Sequence, residues 1–165
     1  IYSILPTFLI SEKAMDARLV NTLVGLSRIT GLVLIFISGY LADTFGIKKL
    51  LLIIFSVSGL LVFLLGILDH TALLVAVFFQ PMVIGAFFPV ANTAISVITP
   101  DKTRNVAFSI VIPLAGSIGA GITPSFIGWL GEIGSFGTGF VILGSITMAS
   151  LVLLWFLRLE KPEDR

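Results

Sequence analysis

From Ala17 to Leu157 the sequence is a succession of apolar runs, each close to or beyond the length that crosses a lipid bilayer, separated by polar breaks of a few residues. A spanning helix needs about 20 apolar residues to bridge the hydrocarbon layer. The runs fall at about 17–42, 50–68, 71–99, 105–130 and 136–157, with a shorter apolar stretch at 1–10 and a polar tail at 158–165. The breaks carry charge and turn residues: Glu12, Lys13 and Asp16; Asp43 through Lys49 around Gly46; Asp69-His70; and Pro100 through Arg104. The runs are too long for barrel strands and do not alternate with period two. The expected fold is therefore an all-α integral membrane domain occupying the whole chain.

Composition removes most other classes. Of 165 residues 57% are hydrophobic and 12% charged, where a soluble domain carries about 25% charged residues. A net charge of +1 offers no basic surface for nucleic acid. Cysteine is absent, which removes disulfides and thiolate sites, and the single histidine, His70, cannot build a zinc site alone. No paired carboxylates lie at membrane depth, and no Ser/His/acid set or phosphate-cradling loop is present. The expectation is a non-enzymatic protein with no metal and no cofactor. The stretch 1–10 has no basic region before it and reads poorly as a signal peptide. It reads instead as the last turns of a helix that begins upstream.

Short loops make successive spans antiparallel neighbours, and their basic residues orient the chain. Lys48, Lys49, Lys102, Arg104, Arg158, Lys161 and Arg165 follow the first, third and fifth spans, whereas only Lys13 and Arg18 lie on the other side. Short-loop Lys and Arg mark the cytoplasmic face, so the expected C-terminus is cytoplasmic in a multi-pass protein of the cell membrane. Arg28 is the exception, placed in the middle of the first complete span. A central Arg costs roughly 2.5–3.5 kcal/mol on insertion scales and faces a water-filled path or a partner in most proteins that keep one. Asn21 and Gly25 precede it at i−7 and i−3, on the same helical face.

The first loop on the basic side reads Gly39-Tyr-Leu-Ala-Asp43-Thr-Phe-Gly46-Ile-Lys48-Lys49-Leu50. It resembles the loop signature of the major facilitator superfamily, in which Gly, Asp, Gly and basic residues recur at these spacings. Thr44 and Ile47 stand where that family often has further basic residues, a weakening typical of the second copy of the signature. The third span, with Gln80-Pro81, Gly85, Pro89, Asn92 and Ser96, is similar to the family's tenth helix. The fourth, with Pro113, Gly116, Gly119, Gly121 and Pro124, resembles its pliable eleventh, and the charged tail follows the fifth span as it follows a twelfth. The resemblance implies a six-helix half of such a transporter, here five complete helices plus the end of a seventh helix, with an N-terminal half as its partner.

That resemblance, joined to the residues, implies transport of a small solute by alternating access. The substrate-path candidates are Asn21, Arg28, Gln80 and Asn92, with Arg28 suited to an anionic solute. Gln80 and Asn92 have a competing reading as interhelical hydrogen-bonding groups. The gate-loop candidates are Gly39, expected to allow close helix approach, Asp43, able to cap a helix or pair with a cation, the turn residue Gly46, and Lys48 and Lys49 at the anionic leaflet. The spans at 50–68 and 136–157 are expected to shield the bundle from lipid. Small residues Gly116, Ser117, Ala120 and Gly121 are expected to permit close packing. The rival reading is a membrane scaffold that uses the same helices for packing alone. A placement in the N-terminal half is weaker, given the loop signature and the charged tail.

Overall fold

The computed structural model describes residues 3–157 and 159. Its helices are α1 (Leu5–Ser11), α2 (Ala17–Phe45), α3 (Ile47–Ile67), α4 (His70–Gly85), α5 (Phe87–Ile98), α6 (Arg104–Gly116), a π-helical segment (Ser117–Ile122), α7 (Thr123–Glu132), α8 (Phe136–Ala149) and α9 (Leu151–Phe156). End to end these form five stretches long and apolar enough to cross a membrane: Ala17–Phe45, Ile47–Ile67, His70–Ile98, Arg104–Glu132 and Phe136–Phe156. No strand occurs among the described residues. The basic tail residues Arg158, Lys161 and Arg165 lie outside them.

The helix ends follow local chemistry. Asp16 starts α2, its carboxylate accepting the Arg18 and Leu19 N–H groups at 3.0 Å each, which satisfies two of the donors a helix start leaves open. At its other end α2 continues past Ala42 through Asp43, Thr44 and Phe45. The expected seven-residue polar loop shrinks to one residue, Gly46, with φ +82°. Charged side chains project from a helix end without ending it. The reversal needs only one residue in a backbone region that glycine enters freely.

The third and fourth spans are interrupted where proline removes a hydrogen bond. Pro89 has no N–H for the Gly85 carbonyl, and its ring crowds that oxygen; α4 ends at Gly85 and α5 resumes at Phe87. Pro124 stands in the same relation to Ala120. There the helix loosens into the π register, and the Thr123 N–H reaches back five residues to the Ile118 carbonyl, which also accepts the Thr123 hydroxyl at 2.9 Å.

Packing concentrates on two helix pairs. The most extensive contact is between antiparallel α3 and α8, through Gly59 and Gly66 on one and Gly137 and Gly144 on the other. Each pair is seven residues apart and so on one stripe. A Cβ on Gly144 meets the Phe63 Cα at 2.6 Å, and one on Gly59 meets the Met148 N at 3.2 Å; without side chains the backbones close up, as membrane helices do at small residues. The second pair is α2 and α4, where a Cβ on Gly31 meets the Pro81 carbonyl oxygen at 3.3 Å. Two buried clusters stack along the bundle. One, around Phe8, Val24, Leu65, Val77, Ile127 and Phe140, lies toward the end with the α1–α2, α3–α4 and α7–α8 turns, here the upper end. The other, around Ala42, Leu51, Ile54 and Val90, lies toward the lower end.

Two expectations change against this packing. The second span is a shield on one side only: Ile53, Val57 and Ile67 are exposed, while Leu51, Ile54, Gly59, Val62 and Leu65 are buried. The small residues of the fourth span do not mediate packing among the described residues. Gly116, Gly119 and Gly121 have open space where a Cβ would stand, and no residue of α6 or the π segment is buried. Small size allows close approach but does not compel it. The last segment of that span, α7, does pack against α8.

Candidate functional site

The α2 helix has two unlike faces. Val20, Val24, Ser27 and Gly31 are buried, at the three- and four-residue spacing that faces α4. Rotated away from them, Asn21, Gly25 and Arg28 are exposed. Ser27 is fully buried, but its hydroxyl is satisfied within the helix by the Val24 carbonyl at 2.8 Å. The Thr30 hydroxyl likewise donates to Ser27 at 2.9 Å. The polar character of the α2 midpoint thus gathers on the side holding Arg28. An open polar face at that depth can solvate or bind a solute.

The other path candidates divide. Asn92 is exposed on α5, beside Thr93. Gln80 is 2% exposed in α4, sealed one residue before the Pro81 carbonyl that touches Gly31. Its Oε1 has no hydrogen-bond partner among the described residues. A buried acceptor left so costs about 1–3 kcal/mol. The structure therefore groups Asn21, Gly25 and Arg28 on one surface and places Gln80 inside the packed α2–α4 contact. Neither Gln80 nor Asn92 makes a side-chain hydrogen bond to another described residue, so neither joins helices here. Backbone approach of α2 to α4 occurs at glycines, Gly31 and Gly85, beside the buried side chains of Val24 and Val77. Gly31 is a residue the sequence analysis missed, although its recurrence after Val24 and Ser27 on the apolar stripe was a usable signal.

The loop signature is also placed. Gly39 has no atom within 4 Å of a Cβ position, so the close approach expected there occurs at Gly31 instead. Asp43 is exposed in the last turn of α2 and does not cap α3, whose N-cap is Gly46. Nor does it form a hydrogen bond or ion pair with another described residue. A carboxylate at a helix C-terminus meets the negative end of the helix dipole, which disfavours it by a few tenths to about 1 kcal/mol. Lys48 Nζ donates to the Trp155 carbonyl at 2.8 Å, tying the start of α3 to the end of α9. Lys49 is exposed. Arg104, which pairs with Asp101, donates to the Ser96 carbonyl at 3.2 Å and closes the α5–α6 turn.

At the upper end three turns are fastened by residues from one short loop. Glu12 accepts the Phe136 N–H at 2.6 Å and the Gly137 N–H at 3.2 Å, capping α8 from a distant part of the chain. Lys13 pairs with Asp69 at 2.6 Å, and its ammonium lies 5.7 Å from the Phe8 ring centre. Hydrogen bonding from Lys13, reinforced by its charge, holds the Asp69 carboxyl below its ordinary value. Sequence alone marked these only as residues of water-exposed turns. Their pairing depends on which turns meet in space.

Five apolar spans, a lipid-sized share of exposed apolar side chains and a polar face at mid-depth define a multi-pass helical protein of a lipid bilayer. The sequence profile of the major facilitator superfamily matches residues 1–165. The chain belongs to that superfamily, whose members are transporters of small solutes rather than enzymes. No curated protein and no solved structure matches it.

Proposed function

We propose that the chain is the C-terminal half of an alternating-access transporter, and that its solute passes along the α2 face bearing Asn21, Gly25 and Arg28. The observation that carries this reading is the exposure of Arg28, a permanent cation, near the midpoint of a span whose adjoining face is packed. Secondary transporters place solute sites near the midplane, between two halves that rock about the site. An exposed polar face at that depth is one wall of such a site, with Asn92 of α5 a further contributor. The second half of the fold supplies the opposite wall. The α6–π–α7 span, lacking buried residues in its first two segments, suits a helix that packs against that half and bends as access alternates. No Asp or Glu lies within a span at this depth, so a proton-carrying carboxylate, where coupling needs one, comes from outside this chain's spans. The guanidinium selects an anionic solute, since its planar fork binds carboxylate or phosphate at two points. The bias of Lys and Arg to one side supports a multi-pass permease of the inner or plasma membrane with its C-terminus in the cytoplasm.

The test uses the complete transporter in proteoliposomes, with uptake measured over a panel of small anions. Arg28→Lys keeps the charge and loses the fork, so it inserts normally and loses most uptake. Arg28→Leu removes the insertion cost, inserts at least as well and transports nothing. Full uptake by the Leu variant overturns the assignment.

A further inference from the structure

At the lower end a cavity of about 610 Å³ opens between the start of α3 and the end of α9. Its walls combine two kinds of chemistry: the ammonium groups of Lys48 and Lys49, and the apolar surfaces of Phe45, Leu52, Trp155 and Leu159. No acidic residue among the described residues lines it. Lys48 is held at the rim by its bond to the Trp155 carbonyl, which uses one of its three N–H donors and leaves two for a ligand. Lys49 is exposed and makes no ion pair with a described residue. Trp155 and Phe45 are themselves 72% and 53% exposed, large aromatic rings of the kind that sit at headgroup level in a bilayer.

Charge and shape together narrow the occupant. Two lysines with no carboxylate beside them among the described residues call for an anion. A free inorganic anion would leave the Phe45, Leu52, Trp155 and Leu159 walls facing water, whereas an acyl chain covers them and gains from apolar burial. Basic pockets between spanning helices hold anionic headgroups by this combination. We propose that this cavity binds one anionic phospholipid, its phosphate held by Lys49 and Lys48 and the start of an acyl chain lying along Leu52 and Trp155. The site bridges the α2–α3 turn and the end of α9, so its lipid reinforces a junction that the Lys48 bond and the packing of Leu154, Leu157 and Leu159 on the lower cluster already make. The proposal needs only the bilayer setting and is independent of the solute path.

The test is made on the full chain purified in a neutral detergent, by native mass spectrometry and thermal unfolding during titration with phosphatidylglycerol, phosphatidylcholine or inorganic phosphate. Phosphatidylglycerol should raise the unfolding midpoint and persist as a one-to-one adduct, while phosphatidylcholine and phosphate should do neither. Lys49→Gln should weaken the apparent phosphatidylglycerol affinity about fivefold, the typical contribution of one basic side chain at an anionic lipid surface. Lys49→Arg should retain it, and because Lys49 is exposed both variants should unfold like wild type without lipid. An undiminished response in Lys49→Gln, or equal stabilisation by phosphatidylcholine, overturns the proposal. Stabilisation by inorganic phosphate alone overturns it too, leaving a simple anion site.

Discussion

The close backbone approach of α3 to α8 makes Gly144 a sensitive probe of what holds the bundle together. A Cβ added there meets the Phe63 Cα at 2.6 Å, and ordinary contact begins at 3.4 Å. Because the obstacle is backbone, and the Phe63 N lies closer still, no side chain can rotate away and α3 and α8 must part by at least about 0.8 Å. A gap of that size forfeits roughly a quarter to a half of each dispersion contact along the interface. Overpacking of this kind costs about 1–3 kcal/mol. Alanine returns up to about 1 kcal/mol through its better helix propensity. Gly144→Ala should therefore destabilise the protein by about 1–2 kcal/mol. Gly25→Ala is the matched control, since nothing lies within 4 Å of its Cβ position. It should be neutral or stabilise by up to about 1 kcal/mol. For a chain of this size each kcal/mol moves the melting midpoint by about 2–4 °C, so the two variants should separate by roughly 2–12 °C in detergent unfolding followed by tryptophan fluorescence. Equal midpoints for the two would refute the claim that glycine-mediated approach of α3 to α8 holds the bundle.

Three further outcomes are expected. In this cysteine-free chain, cysteines at Asp69 and Ser135 should react with an impermeant thiol reagent from outside intact cells and one at Thr103 should not; labelling of Thr103→Cys would reverse the orientation. Asp43→Asn should leave stability unchanged or slightly raised, since it removes an exposed carboxylate from a helix C-terminus, yet should slow transport in the complete protein. A charge-assisted contact made in only one state is worth about 1.5–3 kcal/mol, enough to shift populations about tenfold or more, and wild-type uptake would make Asp43 a solvated turn residue. Because Lys13 lowers the Asp69 pKa from 3.8, their pairing stabilises the folded state at neutral pH and is lost as pH falls below about 4 through the lowered folded value. Unfolding midpoints against pH should fall more steeply on the acid side in wild type than in Lys13→Gln, and superimposable profiles would dissociate the pair from stability.

What the sequence determined by itself rests on one physical fact: in a bilayer each backbone polar group must be satisfied within its own segment. Long apolar runs therefore become helices whatever their neighbours, and five were legible between Ala17 and Leu157 before any packing was known. Local chemistry was legible too, since the turn at Gly46 depends on one residue's backbone freedom and the breaks near Pro89 and Pro124 on a missing N–H. The tertiary structure decided everything that depends on which surfaces meet. Gly31, Gly59, Gly66 and Gly137 look no different in sequence from Gly39, Gly116 and Gly121, yet the first group lies in helix contacts and the second in open space. Glu12 caps a helix that begins 124 residues later, and Gln80, grouped with Arg28 by polarity alone, is turned into the core. Lipid is as apolar as the residues that pack, so hydropathy cannot separate a contact face from a lipid face. Shape complementarity between helices does, and it exists only once they are assembled.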